Sequence, residues 1–208
     1  MGTTKDSEKT QAKIIEAAGP LFAERGFKGV TVRDIAKKAN TQVSALNYHF
    51  RSKEALYRKV LLKACRSNTL SEKDKKQLSR LDPRKALFLI VQEALKEYGK
   101  QLASNWEIVI VNRECRESGR MFEKIVEEYF KPVTDFISGI IGKITNQSPD
   151  SPHVRFAALG LFGLLETFGL YGHLIDATAP GLKDHFKKKD RFAKQIVHIT
   201  IEAASSNE

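Results

Sequence analysis

The sequence has few of the residues that disulfide-bonded and strand-rich folds depend on. It contains only two cysteines, Cys65 and Cys115, and six prolines among 208 residues. Two cysteines are too few for a disulfide framework and indicate a reducing compartment. Alternating apolar and polar runs are scarce, and most apolar residues recur at helical spacing instead. With 41% hydrophobic and 29% charged residues, we expect a folded, soluble, all-α protein rather than a disordered chain.

Signals for targeting, catalysis and metal binding are also missing. The first residues are polar and lack the apolar stretch of a signal peptide. There is no phosphate-binding glycine loop, nucleophile elbow or zinc motif, and none of the five histidines has a second His or Cys at ligand spacing. We therefore expect no metal, no cofactor and no enzymatic activity, and a cytoplasmic location.

One segment, from Val154 to Ile175, is apolar enough to suggest a membrane span. Glu166 lies near its middle, and a carboxylate at bilayer depth is costly. We therefore expect no membrane partner, and we interpret the segment as a helix buried in a core or in a dimer interface.

Positive charge is concentrated in the first third of the chain. The net charge is +10, and residues 1–66 hold 14 Lys and Arg against 6 Asp and Glu, whereas residues 67–208 hold 21 against 19. A basic segment beside a nearly neutral one indicates an N-terminal module that faces a polyanion. A basic surface that only contacts solvent would give the same charge count. The motif within this segment therefore has to decide between the two interpretations.

The apolar periodicity predicts about nine helices in three regions. We expect a three-helix domain over 8–53, a connecting helix and polar linker over 54–82, and a larger helical domain over 83–205. The run from Trp106 to Val111 could be a strand or a buried helix, and its helical neighbours favour the helix. Pro132 should kink or split a helix that spans Met121 to Ile144.

Residues 31–53 predict two short helices joined by a tight turn. Thr31 and Asp34 are spaced to cap the first helix, and Leu46 and Phe50 anchor the second in a core. The polar groups left on the outward side can bond base edges or phosphates, and the methyl of Ala45 can contact thymine. These candidate DNA contacts are Gln42, Ser44, Ala45, Asn47, Tyr48 and His49, with Thr31, Arg33 and Lys53 on the phosphate backbone.

The layout resembles the TetR family of transcriptional regulators. The resemblance covers about residues 8–62 and depends on Gly26-Phe27, the run TVRDIA from Thr31, the ending of the second helix, and SKEAL from Ser52. That ending, Asn47 to Phe50, is most similar to the CecR-type subgroup, which Arg113-Glu114 and Pro132-Val133 would also fit. The resemblance adds Val43 to the DNA-contacting side. Asn40 and Thr41 depart from it, because the family usually has glycine and an apolar residue there.

The resemblance also implies a homodimer in which the last two long helices of each subunit form a four-helix interface. Glycines in 160–172 would permit close approach of two backbones. Contact across the dimer and filling of the monomer core remain alternatives for the apolar residues there. The interface residues expected are Phe162, Leu165, Phe168, Phe192, Ile196 and Ile199.

The resemblance further implies a small-molecule pocket in the C-terminal domain. Its candidates are polar or aromatic residues in apolar surroundings: Trp106, Arg113, Tyr129, Phe136, Glu166 and Tyr171. Glu166 could bind a ligand or form a structural ion pair. Cys115, beside several arginines, could be a redox-active or an incidental thiol.

Together these patterns predict a ligand-responsive, sequence-specific DNA-binding regulator. We expect a repressor that an inducer of unknown identity releases from a palindromic operator in double-stranded DNA. Two alternatives stay open at this point: a non-specific or architectural DNA-binding protein without an inducer, and a transcriptional activator.

Overall fold

The computed structural model describes residues 4–67, 70–98, 105–117, 119, 121–182 and 189–205. Within these ranges all regular structure is helical, which confirms the expected all-α class. The helices are α1 (Thr4–Arg25), α2 (Val32–Lys38), α3 (Val43–Phe50), α4 (Lys53–Ser67), α5 (Glu72–Leu78), α6 (Pro83–Tyr98), α7 (Trp106–Glu117), α8 (Phe122–Ile125), α9 (Lys131–Thr145), α10 (Pro152–Leu170), α11 (Gly172–Thr178) and α12 (Lys189–Ser205).

Local capping accounts for several of these boundaries. Thr31 and Asp34 form a capping box at the start of α2, as the sequence predicted. Asp82 accepts a hydrogen bond from the Lys85 amide at 3.0 Å, and Pro83 takes the first position of α6. Gly26 follows α1 with φ of 70°, a conformation that glycine adopts without steric cost.

The structure corrects two of the predicted helix boundaries. The region expected to be a polar linker contains α5, which a second capping box between Ser71 and Asp74 starts. The long apolar helix ends at Leu170 rather than continuing to Ile175, because Tyr171 (φ −107°, ψ 31°) leaves the helical conformation before α11.

The interruption expected at Pro132 is present. A π-helical turn, Val126–Phe130, lies between α8 and α9, and Pro132 lies in the first turn of α9. Proline has no amide hydrogen to donate to the preceding turn, so the regular α-helical ladder cannot continue through this position. The helix predicted over 121–144 is therefore split rather than smoothly continuous.

The chain divides into two compact units that cut across the predicted domain boundaries. Unit 1 comprises Met1–Thr69 with Ser104–Tyr129, and unit 2 comprises Leu70–Ala103 with Phe130–Glu208. The stretch that carries α7 and α8 lies in unit 1, because α7 packs against α1 and α4. The predicted domain over 83–205, which includes this stretch, stays a prediction.

Unit 1 has one core that combines the three N-terminal helices with α4 and α7. Ile14, Phe22, Ile35, Leu56 and Ile110 are fully buried in it. The rings of Phe22, Phe27 and Tyr57 cluster at its edge, with centroids 4.9 Å apart for Phe22–Tyr57 and 5.1 Å apart for Phe27–Tyr57. The N-terminal helices are thus fixed to α7 by apolar packing.

Unit 2 has a separate core built from α6, α9, α10 and α12. Leu165, Phe192 and Ile196, which the sequence analysis expected at the dimer interface, are buried in this core. Their apolar side chains are already covered within one subunit. In the parts of the chain that the structure describes, no helix combines the length and hydropathy that crossing a membrane requires.

Candidate nucleic-acid interface

The start of α2 is held by reciprocal hydrogen bonds between Thr31 and Asp34. The Thr31 amide donates to Asp34 Oδ2 at 2.9 Å, the Thr31 hydroxyl donates to the same oxygen at 2.6 Å, and the Asp34 amide donates to Thr31 Oγ1 at 3.1 Å. The side-chain and backbone hydrogen bonds from Thr31 hold the pKa of the Asp34 carboxyl below its ordinary value. The Thr31 hydroxyl is therefore engaged within the protein, whereas the neighbouring Arg33 is exposed.

The turn between α2 and α3 depends on a left-handed residue. Asn40 has φ of 46°, so it adopts the conformation for which the resemblance expected glycine. Its amide donates to Lys37 O at 3.1 Å and the Thr41 amide donates to Ala36 O at 3.0 Å. Asparagine thus closes this turn in place of glycine.

Helix α3 is anchored by two apolar side chains on its inner face. Leu46 is 3% exposed and Phe50 is 4% exposed. Burying side chains of this size contributes about 1.5–3 kcal/mol each. This anchoring fixes the rotation of α3 and therefore decides which side chains face outward.

The outer face of α3 presents the predicted DNA contacts together. Tyr48 is 80% exposed, more than any of the other large apolar side chains that the described structure leaves exposed. Ala45 and His49 are half-buried at the edge of this face, and the His49 ring packs edge-to-face on Tyr48 at 5.2 Å. The exposed members of the face are Gln42, Val43, Ser44, Asn47 and Tyr48. The Ser44 hydroxyl donates to Gln42 Oε1 at 3.4 Å. Hydroxyl, amide and phenol groups of this kind can bond base edges.

Lys53 forms hydrogen bonds within the protein. Its Nζ donates to Phe27 O and to Val30 O, both at 3.0 Å, and lies 4.3 Å from the centroid of the Phe27 ring. The side chain therefore ties the start of α4 to the turn between α1 and α2. Its expected contact with a DNA phosphate stays a prediction.

Arg51 is a candidate contact that the sequence interpretation missed. It follows α3 directly, is exposed, and has φ of 63°, a conformation uncommon for a residue other than glycine. Lys37 and Lys38 are also exposed at the end of α2. Their positive charge within residues 31–53 could have identified these three residues as candidate DNA contacts from the sequence.

Comparisons with known proteins agree with this geometry. Residues 14–60 match the family described as bacterial regulatory proteins, tetR family, and residues 83–204 match the C-terminal domain of the HTH-type transcriptional dual regulator CecR. The chain belongs to the TetR family, in the group with a CecR-type C-terminal domain.

A curated relative matches a short part of this TetR-family protein. IcaR of Staphylococcus epidermidis, the negative transcriptional regulator of the biofilm operon icaADBC, is 47% identical over 47 residues. That alignment covers 23% of this chain and 25% of the relative. The chain thus matches about a quarter of the length of this relative.

Solved structures match most of the TetR-family chain in fold. FadR of Bacillus subtilis, solved in complex with stearoyl-CoA, is 18% identical with a TM-score of 0.63, covering 92% of this chain and 98% of that one. NalD of Pseudomonas aeruginosa, the secondary repressor of the MexAB-OprM multidrug efflux pump, is 20% identical with a TM-score of 0.63, covering 96% and 98%. At these identities the likeness shows the fold alone.

The six residues expected in the TetR-family ligand pocket are divided between the two units, and their expected role stays a prediction. Arg113 lines a cavity of about 450 Å³ within unit 1, and Phe136 lines a smaller cavity of about 200 Å³ within unit 2. Trp106 packs on α1, where a Cβ on Gly19 would come within 2.4 Å of its ring.

The remaining expected pocket residues line neither of these cavities. Tyr129 and Glu166 are half-buried and Tyr171 is exposed. Burial raises the pKa of the Glu166 carboxyl. Among the described residues there is no cluster of three potential metal ligands.

The expected dimer residues also separate in the structure. Ile199 on α12 is 58% exposed and Phe162 on α10 is half-buried against the core, while the side chain of Phe168 lies outside the described residues. Two apolar side chains on α10 that the sequence interpretation left out, Phe156 and Leu159, are 69% and 59% exposed. A helix that is apolar on every side gives no sequence signal for which side is covered.

Proposed function

We propose that this TetR-family chain is a sequence-specific DNA-binding regulator, most simply a repressor that a small-molecule inducer releases from a palindromic operator. The observation that carries the proposal is the outer face of α3, where polar side chains and Tyr48 stand exposed on a helix locked into its core by Leu46 and Phe50. A helix fixed in this way can lie in the major groove with its outer residues against base edges.

We propose that α2 and the turn after α3 flank this contact with groups for the phosphate backbone. Arg33 precedes α3 in the sequence and Arg51 follows it, and both side chains are exposed. Phosphate contacts fix the register of a protein on DNA, whereas base contacts supply the sequence preference. Loss of Arg33 should therefore weaken binding to all sequences alike.

We propose a homodimer, because a palindromic operator mirrors a twofold axis and its half-sites lie roughly 34 Å apart. The support is an exposed apolar surface on α10 and α12 formed by Phe156, Leu159 and Ile199. Gly160 and Gly163 lie beside it, and a Cβ added at either position would meet nothing within 4 Å. This open backbone leaves room for a second helix.

The proposed inducer response is a shift between DNA-competent and DNA-incompetent populations. FadR of Bacillus subtilis was solved with stearoyl-CoA, which supports a ligand-binding role for proteins of this fold. In this chain α4 begins three residues after α3 ends and is bonded to α7 through Tyr57 and Glu114 at 2.7 Å. Movement of α7 would therefore act on the helix next to the recognition helix.

Selection of DNA from a random pool, followed by footprinting of the recovered sequence, tests this proposal. We expect one protected palindrome with two half-sites a helical turn apart. The Asn47→Ala variant should lose the sequence preference, and the Lys59→Ala variant, exposed on α4, should keep it. Recovery of no preferred sequence, or even protection along the DNA, would support an architectural protein instead.

A further inference from the structure

The outer face of α3 has none of the four residue types Lys, Arg, Asp and Glu. Residues 42–49, all of which the structure describes, contain no lysine, arginine, aspartate or glutamate. Basic side chains occur instead before and after this stretch, and the exposed ones nearest to it are Arg33, Lys37, Lys38 and Arg51. This division separates groups suited to phosphates from groups suited to base edges. The bases that α3 can recognise therefore follow from the chemistry of its neutral side chains.

The residue types missing from α3 are those that recognise a G·C base pair in the major groove. Guanine presents the acceptors N7 and O6, which arginine or lysine bonds, and cytosine presents an amino donor, which a carboxylate accepts. Arg51 is the guanidinium nearest to α3 along the chain, but its φ of 63° and ψ of −37° take the backbone out of the helical conformation. Its side chain therefore does not continue the line of the outer face of α3.

The amides on this face fit adenine. Asparagine and glutamine can accept from the adenine amino group and donate to N7 at the same time. Asn47 is exposed, and Gln42 is exposed at the N-cap of α3, where its side chain makes no capping hydrogen bond in the described structure. Gln42 Oε1 accepts from the Ser44 hydroxyl at 3.4 Å, which leaves its second lone pair and its amino group for a base. Five residues separate the two amides, about 7 Å along a helix or about two base-pair steps.

The apolar groups on this face fit thymine. Val43 is 36% exposed and Tyr48 is 80% exposed, and Ala45 is half-buried at the edge of the face. Thymine carries a methyl group in the major groove, so apolar and aromatic side chains there favour it. Ser44 and His49 are less selective, because a single donor can bond N7 of either purine.

We propose that α3 enters the major groove over A·T base pairs, with Asn47 and Gln42 on adenine and with Val43 and Tyr48 against thymine methyl groups. The inference rests on the proposed function, because it needs α3 to be the recognition helix. It adds the base composition of the operator. Each half-site should have about three A·T-rich base pairs under α3, flanked by phosphates that the basic side chains contact.

Selection of half-sites from a random DNA pool tests this inference separately from the proposed function. We expect a palindrome in which the base pairs that lose their preference in the Asn47→Ala and Tyr48→Ala proteins are A·T. A palindrome with G·C at those positions would overturn the inference and leave the proposed function intact. Recovery of no preferred sequence would contradict both.

Base analogues then separate contact in the major groove from recognition of DNA shape. An inosine·cytosine pair has the major-groove groups of G·C and the minor-groove groups of A·T, because inosine lacks the guanine amino group. This replacement under α3 should weaken binding by about fivefold or more. Replacement of thymine by uracil, which removes only the methyl group, should weaken it about threefold. Unchanged affinity with inosine·cytosine would assign the preference to minor-groove width or DNA flexibility and would overturn the assignment.

A change of specificity tests whether Asn47 contacts the base. Asn47→Arg should exchange adenine for guanine at one position of each half-site, because arginine bonds guanine N7 and O6. In the matched control, Arg51→Gln should weaken binding to all sequences alike and lower the salt slope by about one, with the preferred bases unchanged. Loss of a guanine preference in Arg51→Gln, or an unchanged preference in a folded Asn47→Arg protein, would contradict the inference.

Discussion

Substitution of Lys53 by methionine separates a role in folding from a role in DNA binding. Methionine keeps an unbranched apolar stem of similar length and removes the ammonium that donates to Phe27 O and Val30 O, each at 3.0 Å. Hydrogen bonds from charged donors contribute about 1.5–3 kcal/mol each, and the half-buried position argues for the lower end of that range. The two bonds together then contribute about 3 kcal/mol.

The expected result is a lower free energy of unfolding with an unchanged m-value in urea. For a chain of this size, about 3 kcal/mol corresponds to a melting temperature lower by about 6–12 °C. The matched control is Lys59→Met, an exposed lysine on the same helix, which should change stability by less than about 0.5 kcal/mol. Circular dichroism of both variants measures the difference.

DNA binding by the same variants gives the opposing readout. If Lys53 contacts a phosphate, its loss should reduce the salt dependence of DNA affinity by about one released counterion. A Lys53→Met variant of normal stability with a reduced salt slope would refute the folding role that its two carbonyl partners indicate. A loss of stability together with a reduced salt slope would show that the third N–H of the Lys53 ammonium also binds a DNA phosphate.

Three further predictions concern the cap of α2, the buried carboxyl group and the dimer surface. Hydrogen bonds from Thr31 lower the pKa of Asp34, so Asp34→Asn should destabilise the protein at neutral pH, and its deficit in urea should shrink as acid protonates the wild-type carboxyl. Burial raises the pKa of Glu166, because the native fold disfavours the charged form of the carboxyl group. The Glu166→Gln substitution should therefore raise the melting temperature at neutral pH. Below the ordinary pKa of a carboxyl group, it should have little effect on the melting temperature. The Leu159→Glu substitution should convert a dimer to a monomer in sedimentation experiments. Leu174 is 57% exposed on α11, and the control substitution Leu174→Glu should leave the dimer intact. A dimeric Leu159→Glu protein would contradict the proposed surface.

The helix-turn-helix could be predicted because its signals are local. Thr31 and Asp34 lie three residues apart, Gly26 lies directly after α1, and Leu46 and Phe50 lie one helical turn apart. The first pair specifies a helix cap, the glycine specifies a helix end, and the second pair specifies a buried helix face. None of the three depends on residues far away in the sequence. The structure contains the capping box of α2, the positive φ of Gly26 and the buried side chains of Leu46 and Phe50.

The partners of Lys53 and Arg113 could not be predicted in the same way. Lys53 bonds carbonyls 23 and 26 residues earlier in the chain, and Arg113 bonds the carbonyl of Glu24, 89 residues away. Such contacts follow from how α4 and α7 pack on α1, which local periodicity does not encode. The packing of α7 against α1 and α4 could not be predicted for the same reason.

The sequence could not separate dimer residues from core residues, because both have the same helical spacing. Leu165 is buried in unit 2 whereas Leu159 is 59% exposed, although both lie on the apolar helix α10. Hydropathy gives both leucines the same preference for burial. Only the packing of α10 against α12 and α9 decides which of them remains for a partner.

The ratio of specific to non-specific DNA affinity, measured at one salt concentration for the wild type and for Tyr48→Ala, tests the central claim most directly. The account places Tyr48 at the base edges rather than in the core, since it is 80% exposed. We expect Tyr48→Ala to keep its stability and its non-specific affinity while the ratio falls about tenfold, the equivalent of about 1.4 kcal/mol. An unchanged ratio in a correctly folded Tyr48→Ala protein would contradict the assignment of α3 as the helix that recognises the operator.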